Sequence, residues 1–535
     1  MGKRKEYCTV DTAKNLSDLE LSNIQNCPFA TDHGGYMTLF SCLLFLVLMS
    51  VLFLLLDGIL IQEGKSRARM AETGVGEHLL ANYNEVLASK YHIYFLDPRM
   101  EDVITKRAQN YFTAYFSPES VGLFRSSSLF KLQMKKVDIE SFGTMQEQNY
   151  LYLKHAIREF MKYDSTKDLF QQMLKKSEKQ MNQQTPKIGN IKQQIEQKEE
   201  AANHLQSIEA NQAEPNNPTP GDKEQQNAAI DAQKNDPRKI IQKIMKSGVL
   251  AFVTDGKSIS EKQKPDADLP SDTQKERNES LPNNPMGSLS TMKSLLDSRN
   301  LDGLLNDITD DMLTYAYIKK YFNSYVLPDK VEQTVLSYEI EYILGGQTSD
   351  QENLKYVVNR LILLRFGSNM VYAVTDAELN AQALSLATAL VGITGLAPVI
   401  EGVKYTILGA VSFGEALLDV KALLSGNKVP LVKTKADWKL SVLGAANLLE
   451  TKEQTGYDTG LDYEEYELLL LLTQINKKKM YGRMLDLMQV NVQLEQPGFL
   501  VKDCRFGLKM KSTAEIKTWF GHGVYQFQDS REFSY

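Results

Sequence analysis

The sequence predicts an α+β protein tethered to a membrane by a single N-terminal transmembrane helix. Three observations carry this. Residues 37–56, MTLFSCLLFLVLMSVLFLLL, form twenty positions without a charge, and at about 1.5 Å per residue they span the roughly 30 Å of bilayer hydrocarbon. Beyond them, apolar residues recur mainly at helical spacing. Short stretches near residue 132 and at the C-terminal end instead alternate apolar with polar side chains, the period of a half-buried strand.

The flanks of the apolar run indicate an anchor that is kept. A secretory signal has an apolar region of about 7 to 15 residues followed by a small-residue cleavage site, whereas this run is longer and is followed by Asp57, Gln62, Glu63, Lys65, Arg67 and Arg69. Residues 37–61 are therefore expected to remain as the anchor. Leu39-Phe40-Ser41-Cys42 has the form of a lipoprotein site, but cleavage there would remove the run it precedes. Met1-Gly2 lacks the hydroxyl residue at position 6 that myristoylation requires, since Glu6 stands there. Lys3, Arg4, Lys5 and Lys14 precede the anchor, and Lys65, Arg67 and Arg69 follow it. Local charge thus disagrees with the positive-inside rule, but long segments translocate largely regardless of charge. The expected arrangement is a bacterial cell-membrane protein that crosses once, with residues 1–36 a cytoplasmic tail and the C-terminal body extracytoplasmic.

The 535 residues are 42% apolar with a net charge of −6, so no basic excess points to nucleic acid. Cys8 and Cys27 precede the anchor, Cys42 lies in it and only Cys504 follows, which excludes an intrachain disulfide in the large C-terminal part.

Residues 62–170 are expected to hold a stalk and a small α+β unit. Val75, Leu79, Tyr83 and Val86 recur at helical spacing, so the helix should continue to about Ser89 despite Gly64, Gly74 and Gly76. Tyr91 to Leu96 is strand-like, and Asp97-Pro98 turns the chain. Ile104, Ala108, Tyr111, Phe112 and Tyr115 mark a helix, Phe130, Leu132 and Met134 a strand, and Tyr150 to Tyr163 another helix. Residues 171–294 read as a polar, low-complexity spacer, disordered or partly helical. Between residues 171 and 314 the only aromatic is Phe252, and nine of the sixteen prolines lie between Pro186 and Pro285, a composition that offers little apolar surface against the cost of ordering the chain. Within it, Ile188, Ile191, Ile195 and Leu205 suggest a helix or weak coiled coil over Lys187 to Ala210.

The main folded domain is expected over residues 295–535, mainly helical and closed by strands. Tyr338, Ile340, Tyr342 and Leu344 alternate with Glu339 and Glu341, predicting a strand with a solvated acidic face that ends at Gly345-Gly346. Leu354, Val357, Val358, Leu361 and Ile362 make a helix face. Residues 383–400 are eighteen uncharged positions, but they are rich in Ala, Gly, Ser and Thr and contain Pro398, so a buried helix pair is preferred to a second span. Leu408 to Val420, Leu440 to Leu449 and Tyr463 to Met488 predict further helices. Cys504, Phe506, Leu508 and Met510, then Tyr525 and Phe527, predict closing strands.

No residues are assigned to catalysis, cofactor binding or metal binding. His33, His78, His92, His155, His204 and His522 are scattered without ligand spacing. Asp255-Gly256-Lys257-Ser258 has the end of a phosphate loop, but Ala251 stands where its first glycine belongs. Ser290-x-x-Lys293 has the spacing of a Ser/Lys nucleophile without the partner motifs. Glu339, Glu341, Glu401, Glu415 and Asp419 could be grouped as acid pairs, but the first two read as a strand's outer face.

Three stretches carry a family resemblance. His33-Gly34-Gly35-Tyr36-Met37-Thr38-Leu39-Phe40 entering a Leu-rich helix, Gln62 to Arg69, and Leu80 to Leu96 resemble the start of an uncharacterised family of membrane-anchored Firmicutes proteins. That family is associated with Tad-type (Flp) pilus loci and has TadE/TadG-like N-termini. Tyr338 to Leu344 and Ala397 to Ser441 resemble its C-terminal domain. The resemblance implies a surface assembly component without known catalysis. Pilin-like precursors are cut after Gly and carry Glu five residues on, yet the fifth position here is Phe40 counted from Gly35 and Leu39 counted from Gly34.

The expected function is therefore a membrane-anchored accessory or structural subunit of a Tad/Flp-like pilus or secretion apparatus, acting by protein–protein interaction rather than as an enzyme. Its expected partners are the lipid bilayer and other membrane or pilus-assembly proteins, with self-association possible. The alternative is a membrane-tethered enzyme acting on the cell wall, or an extracytoplasmic sensor. A 36-residue tail leaves little room for a sensor's output domain.

Overall fold

The structure is a computed structural model describing residues 33–116, 132–163, 166–209, 236–266, 268–271, 281–297, 308–391, 396–444, 459–472, 476–518 and 523–535, with Lys234 and Tyr457. The chain divides into two compact units. One comprises residues 1–73, 112–136 and 512–529, the other residues 74–111, 137–511 and 530–535.

Helix α1 (His33–Leu80) contains the expected anchor. Between residues 36 and 56 its side chains are exposed on nearly every face, and from Asp57 onward a stripe of Asp57, Gly64, Ala68, Ala71, Glu72, Val75, Gly76 and Leu79 is buried. Steps of three or four residues keep this stripe on one side. The helix ends at Leu80, nine residues short of the expected Ser89, because Asn82 and Asn84 start a new turn. Asn84 accepts from the Leu87 backbone N–H at 2.8 Å and caps α2 (Glu85–Tyr91). The strand expected at Tyr91 to Leu96 is absent: Tyr91 closes α2, His92 adopts a left-handed φ of 53°, and only Leu96 makes isolated bridges, to Tyr83 and Arg505.

Helix α3 (Ile104–Phe116) buries Ile104, Ala108 and Phe112, as its spacing predicts. Strand β1 (Leu132–Phe142) follows the expected alternation at Leu132 and Met134, then shifts phase where Lys135 and Lys136 are both exposed, so that Val137 is buried. Phe130 lies outside the described residues. β2 (Gly507–Lys517) is the middle strand of a three-stranded sheet, between β1 and β3 (Val524–Ser534). The expected closing strands are thus present.

Helix α4 (Glu147–Met161) buries Leu153, Ile157 and Met161. The helical part of the segment expected as a spacer is longer than its composition suggested. Helix α5 (Thr166–Glu209) passes through Pro186 and buries Leu174, Met181, Ile188, Ile191 and Ile195. Helices α6 (Pro237–Ser247), α7 (Val249–Val253) and α8 (Leu289–Asp297) follow. Few apolar residues suffice here because the helices they meet supply the rest of the core.

Helix α9 (Ile308–Tyr321) leads to α10 (Glu339–Gly345), which replaces the strand expected over Tyr338 to Leu344. Every residue of α10 is buried, including Glu339 and Glu341. Gly346 closes it with a left-handed φ of 63°. Helix α11 (Asp350–Thr375) is capped by Ser349 and packs on α13 (Ala397–Leu424), with Phe366 edge-on to Phe413 at 5.8 Å between centroids. Helix α12 (Ala377–Val391) packs on both. The 383–400 stretch therefore belongs to a helix pair, and α1 holds the one candidate membrane span among the described residues. α13 is covered on another side by α5, α6 and α8, where Met286 and Met292 lie against Gly409 and Leu289 against Gly402. Helices α14 (Tyr463–Leu472) and α15 (Lys477–Gln493) account for the helical stretch expected over Tyr463 to Met488. Of the helix expected at Leu440 to Leu449, residues 440–443 are non-helical, Gly444 is in 3-10 conformation and the remainder lies outside the described residues.

Candidate functional site

Two features have functional potential, the exposed run of α1 and a set of charges buried in the second unit. On α1, Phe40 is 63% exposed and Leu54 72%. Such side chains on all sides of a helix have no protein to pack against, and a continuous patch of this kind needs a partner or lipid. The backbone donors and acceptors are satisfied within the helix, and the Ser50 hydroxyl donates back to the Val47 carbonyl at 2.8 Å, the pattern that a lipid environment demands. Beyond the run, Arg67 pairs with Glu63 at 3.0 Å, Arg69 lies 3.5 Å from Asp529, and Lys65 sits over the Tyr525 ring.

The acidic residues of α10 are not a solvated face. Glu339 accepts from the Asn323 backbone N–H at 2.9 Å and from the Asn491 amide at 2.6 Å, and burial pushes its carboxyl up to about 7. Glu341 accepts from the Tyr325 N–H at 2.7 Å and from the Tyr463 hydroxyl at 2.9 Å. The fully buried Glu467 carboxyl is its electrostatic neighbour, and both Glu467 oxygens and Glu341 Oε2 are buried without a hydrogen-bond partner among the described residues. Two neighbouring negative charges without solvent repel strongly, which disfavours ionising both. Burial raises Glu341 to about 7 and Glu467 further above its ordinary value. Nearby, Lys330 pairs with Glu464 and donates to the Lys319 carbonyl at 2.7 Å.

A second buried group joins α11, α13 and the loop after α13. Lys433 Nζ contacts Glu415 and lies 2.6 Å from Asp419 Oδ1, while Arg365 Nε lies 3.0 Å from Asp419 Oδ2. The Asn369 amide and the Tyr457 hydroxyl donate to Asp419 at 3.0 and 3.1 Å. The backbone N–H groups of Lys439 and Leu440 donate to Glu415 at 3.1 and 3.0 Å. Burial alone would raise the Asp419 carboxyl, but Lys433 and Arg365 hold it below its ordinary value. Burial outweighs Lys433 at Glu415, whose carboxyl is raised. The two acids and two bases balance in charge. Glu401, grouped with them by sequence, instead pairs with Lys404 at 3.0 Å. Arg365 carried no periodic signal: its one mark is a lone cation inside the apolar run LILLRFG.

Two clefts in the second unit are lined by residues of neither buried group. One of about 660 Å³ is lined by residues including Met245, Leu250, Lys257, Leu281, Glu352 and Lys355, and one of about 330 Å³ by residues including Asp97, Ile104, Glu140, Asp503 and Arg505. The buried charges tie helices and loops together inside the second unit.

The remaining motifs fall apart in space. Asp255 and Gly256, both at positive φ, form the turn that ends α7, with Asp255 paired to Lys421 at 2.8 Å. Lys293 pairs with Glu196 at 2.6 Å, whereas the Ser290 hydroxyl bonds that of Ser288. His78 stacks on Tyr111, His92 on Phe160, and His155 meets Phe506 edge-on. Among the described residues no group of His, Cys, Asp and Glu is placed to hold a metal ion.

No curated protein and no solved structure matches the chain. A match to DUF5702, described as a family of unknown function, extends over residues 227–516, from before α6 to the end of β2. With more than half its length so matched, the chain belongs to the DUF5702 family.

Proposed function

We propose that this protein is a membrane-anchored accessory or structural subunit of a Tad/Flp-like pilus or secretion apparatus, acting by protein–protein interaction. It crosses the bacterial cell membrane once through residues 37–56, with its N-terminus cytoplasmic and its body extracytoplasmic. The observation that carries this reading is the change along α1 at Asp57, from exposure on all faces to a single buried stripe. That change is expected where a helix leaves lipid and enters a folded body. The assembly assignment draws on the resemblance at His33 to Phe40 and at Ala397 to Ser441. The accessory role follows from the fifth position. A pilin's carboxylate there is costly in lipid unless paired with a neighbouring subunit's amine, which draws subunits together; Phe40 and Leu39 offer no such pairing.

The test is the mature N-terminus together with fractionation of the native protein. The expected result is an uncleaved chain retained in membranes when surface filaments are sheared off. An N-terminus at Tyr36, with the protein recovered in the sheared filaments, would make it a true pilin instead.

A further inference from the structure

The larger cleft of the second unit, of about 660 Å³, is built by α6, α7, the start of α11 and the stretch leading into α8. One wall is the bend between α6 and α7, where Met245, Val249 and Leu250 pack against the core and keep part of their surface in the cleft. Gly248 makes this bend at a φ of 100°, and its N–H closes α6 by donating to the Ile244 carbonyl at 3.0 Å. Gly256, in the turn after α7, has a φ of 67°. A Cβ on either glycine would meet nothing within 4 Å, and both border the cleft.

A second wall is the first two turns of α11, with Gln351, Glu352 and Lys355, while Ile259 and Leu281 complete the apolar lining. The segment after Ile259 is pinned to the start of α11. Ser260 Oγ donates to Asp350 at 2.6 Å, the Asp350 N–H donates to the Lys262 carbonyl at 3.0 Å, and Gln263 forms an antiparallel bridge with Ser349. The walls are thus tied to each other and the cleft is preformed, which lowers the ordering cost of binding.

The lining is aliphatic and cationic. No aromatic ring borders the cleft, so it offers no stacking surface to a flat ligand. Lys257 and Lys355 reach it from different elements, and neither ammonium group pairs with a described residue. Glu352 is the one acid in the lining, and its carboxylate accepts the Thr348 N–H at 3.2 Å. On α6 and the turn after α7, Lys239, Lys243, Lys246 and Lys257 are all exposed, while the one acid between residues 237 and 257, Asp255, is paired with Lys421 at 2.8 Å. In a chain of net charge −6, this is a locally positive surface that attracts anions. Small-molecule sites are clefts of roughly 300–1,000 Å³ with a mainly apolar lining and a few placed polar groups, and the cleft meets both conditions.

We propose that this cleft binds a single-chain amphiphilic anion, its anionic head held by Lys257 and Lys355 and its aliphatic body lying on Leu250, Ile259 and Leu281. Exposed lysines alone attract an ion weakly, and apolar walls alone do not select a head. Together they select a molecule that carries both. The site is independent of the assembly role proposed above, so either can fail alone.

The test is isothermal titration calorimetry on the full chain in phosphatidylcholine nanodiscs, with the heat of empty nanodiscs subtracted. Octyl phosphate and octanoate are the probes, octanol the control without charge and inorganic phosphate the control without an aliphatic body. At least one of the two anionic amphiphiles should bind saturably, one molecule per chain, with octanol and inorganic phosphate weaker by about tenfold or more. Binding of one anion alone supports the site and assigns its head as phosphate or carboxylate. Lys257→Glu/Lys355→Glu should weaken binding by about tenfold, and Lys257→Gln/Lys355→Gln, which removes the charges without reversing them, should fall between. Ala251 is exposed on the cleft wall, and Ala251→Trp should abolish binding by filling the space. No saturable binding beyond that of empty nanodiscs overturns the proposal, as does octanol binding as tightly as the anions, or full affinity in the Ala251→Trp variant.

Discussion

Arg365 Nε on α11 lies 3.0 Å from Asp419 Oδ2 on α13, and both side chains are completely buried. Arg365 also donates to the Leu431 carbonyl at 2.8 Å and to the Tyr466 hydroxyl at 3.1 Å, so one guanidinium ties two helices to the loop after α13 and to α14. Removing one member of this buried group leaves it one charge out of balance, which typically costs about 3–5 kcal/mol. Arg365→Met should therefore lower the thermal unfolding midpoint of the detergent-solubilised chain sharply. The double variant Arg365→Met/Asp419→Asn should recover part of the loss. A double variant no more stable than the single would show that the charge balance is not what the pair contributes.

The Glu341–Glu467 pair makes stability depend on pH. Both carboxyl groups sit above their ordinary value when folded, Glu341 at about 7, so between about pH 4.5 and 7 the folded state binds more protons than the unfolded chain. Stability contributed by protonation is then fully present below pH 4.5 and is lost as pH rises through the folded values. Glu467→Gln keeps a neutral hydrogen-bonding side chain at the site without a proton to lose. It should flatten the fall in stability between pH 5 and 8 and raise stability at pH 8 by on the order of 1–3 kcal/mol. Denaturant titrations at the two pH values check this, and an unchanged slope would contradict it.

Gly460 has a φ of 150°, and a Cβ there would run into the backbone of Val429 and Pro430 beside the Val429–Leu461 bridge. Neither obstacle is a flexible side chain, so Gly460→Ala should cost about 1–3 kcal/mol. Gly498→Ala is a fitting control, since its φ is also positive at 83° but nothing stands within reach of its Cβ. It should cost less. Equal losses in the two midpoints would mean that backbone strain alone, not the Val429 contact, sets the penalty.

The contrast between two stretches shows what the sequence could convey. Residues 37–56 are legible from composition as one long apolar helix, because twenty uncharged positions in a row exceed what one buried helix face requires and are long enough to cross a bilayer. Tyr338 to Leu344 are misleading for the opposite reason: α10 is buried on every face, so the alternation of Tyr, Ile and Leu with Glu is a helix whose acids find partners far along the chain, at Tyr463 and Asn491. Periodicity reports only elements with one wet side. Arg365 was silent for the same reason. Within the polar, partly helical stretch 171–294, the helix read from Ile188, Ile191 and Ile195 buries those three residues, since one stripe is enough when larger helices provide the other wall.

That packing has a practical consequence. Tyr405 bonds Gln194 at 2.9 Å, Arg238 bonds Thr406 at 3.2 Å, and Met286 and Met292 cover Gly409, so α13 shares its core with helices that precede residue 295. A fragment of residues 295–535 should expose that apolar side and aggregate. A fragment of residues 62–535, which lacks only the tail and anchor, should stay monodisperse without detergent. Size-exclusion chromatography separates the outcomes, and a monodisperse 295–535 fragment would show that α5, α6 and α8 are dispensable to the core.

The central claim is a single crossing with the body outside, and the chain's own cysteines provide the control. Cys8 and Cys27 precede the span, Cys42 lies within it, and Cys504 is buried. Ser258 is exposed in the turn after α7. A membrane-impermeant maleimide applied to intact cells should label the Ser258→Cys variant but leave the unsubstituted protein unlabelled until the cells are broken open. Labelling of the variant only after disruption, with Cys8 and Cys27 reactive on intact cells, would reverse the orientation and contradict the account.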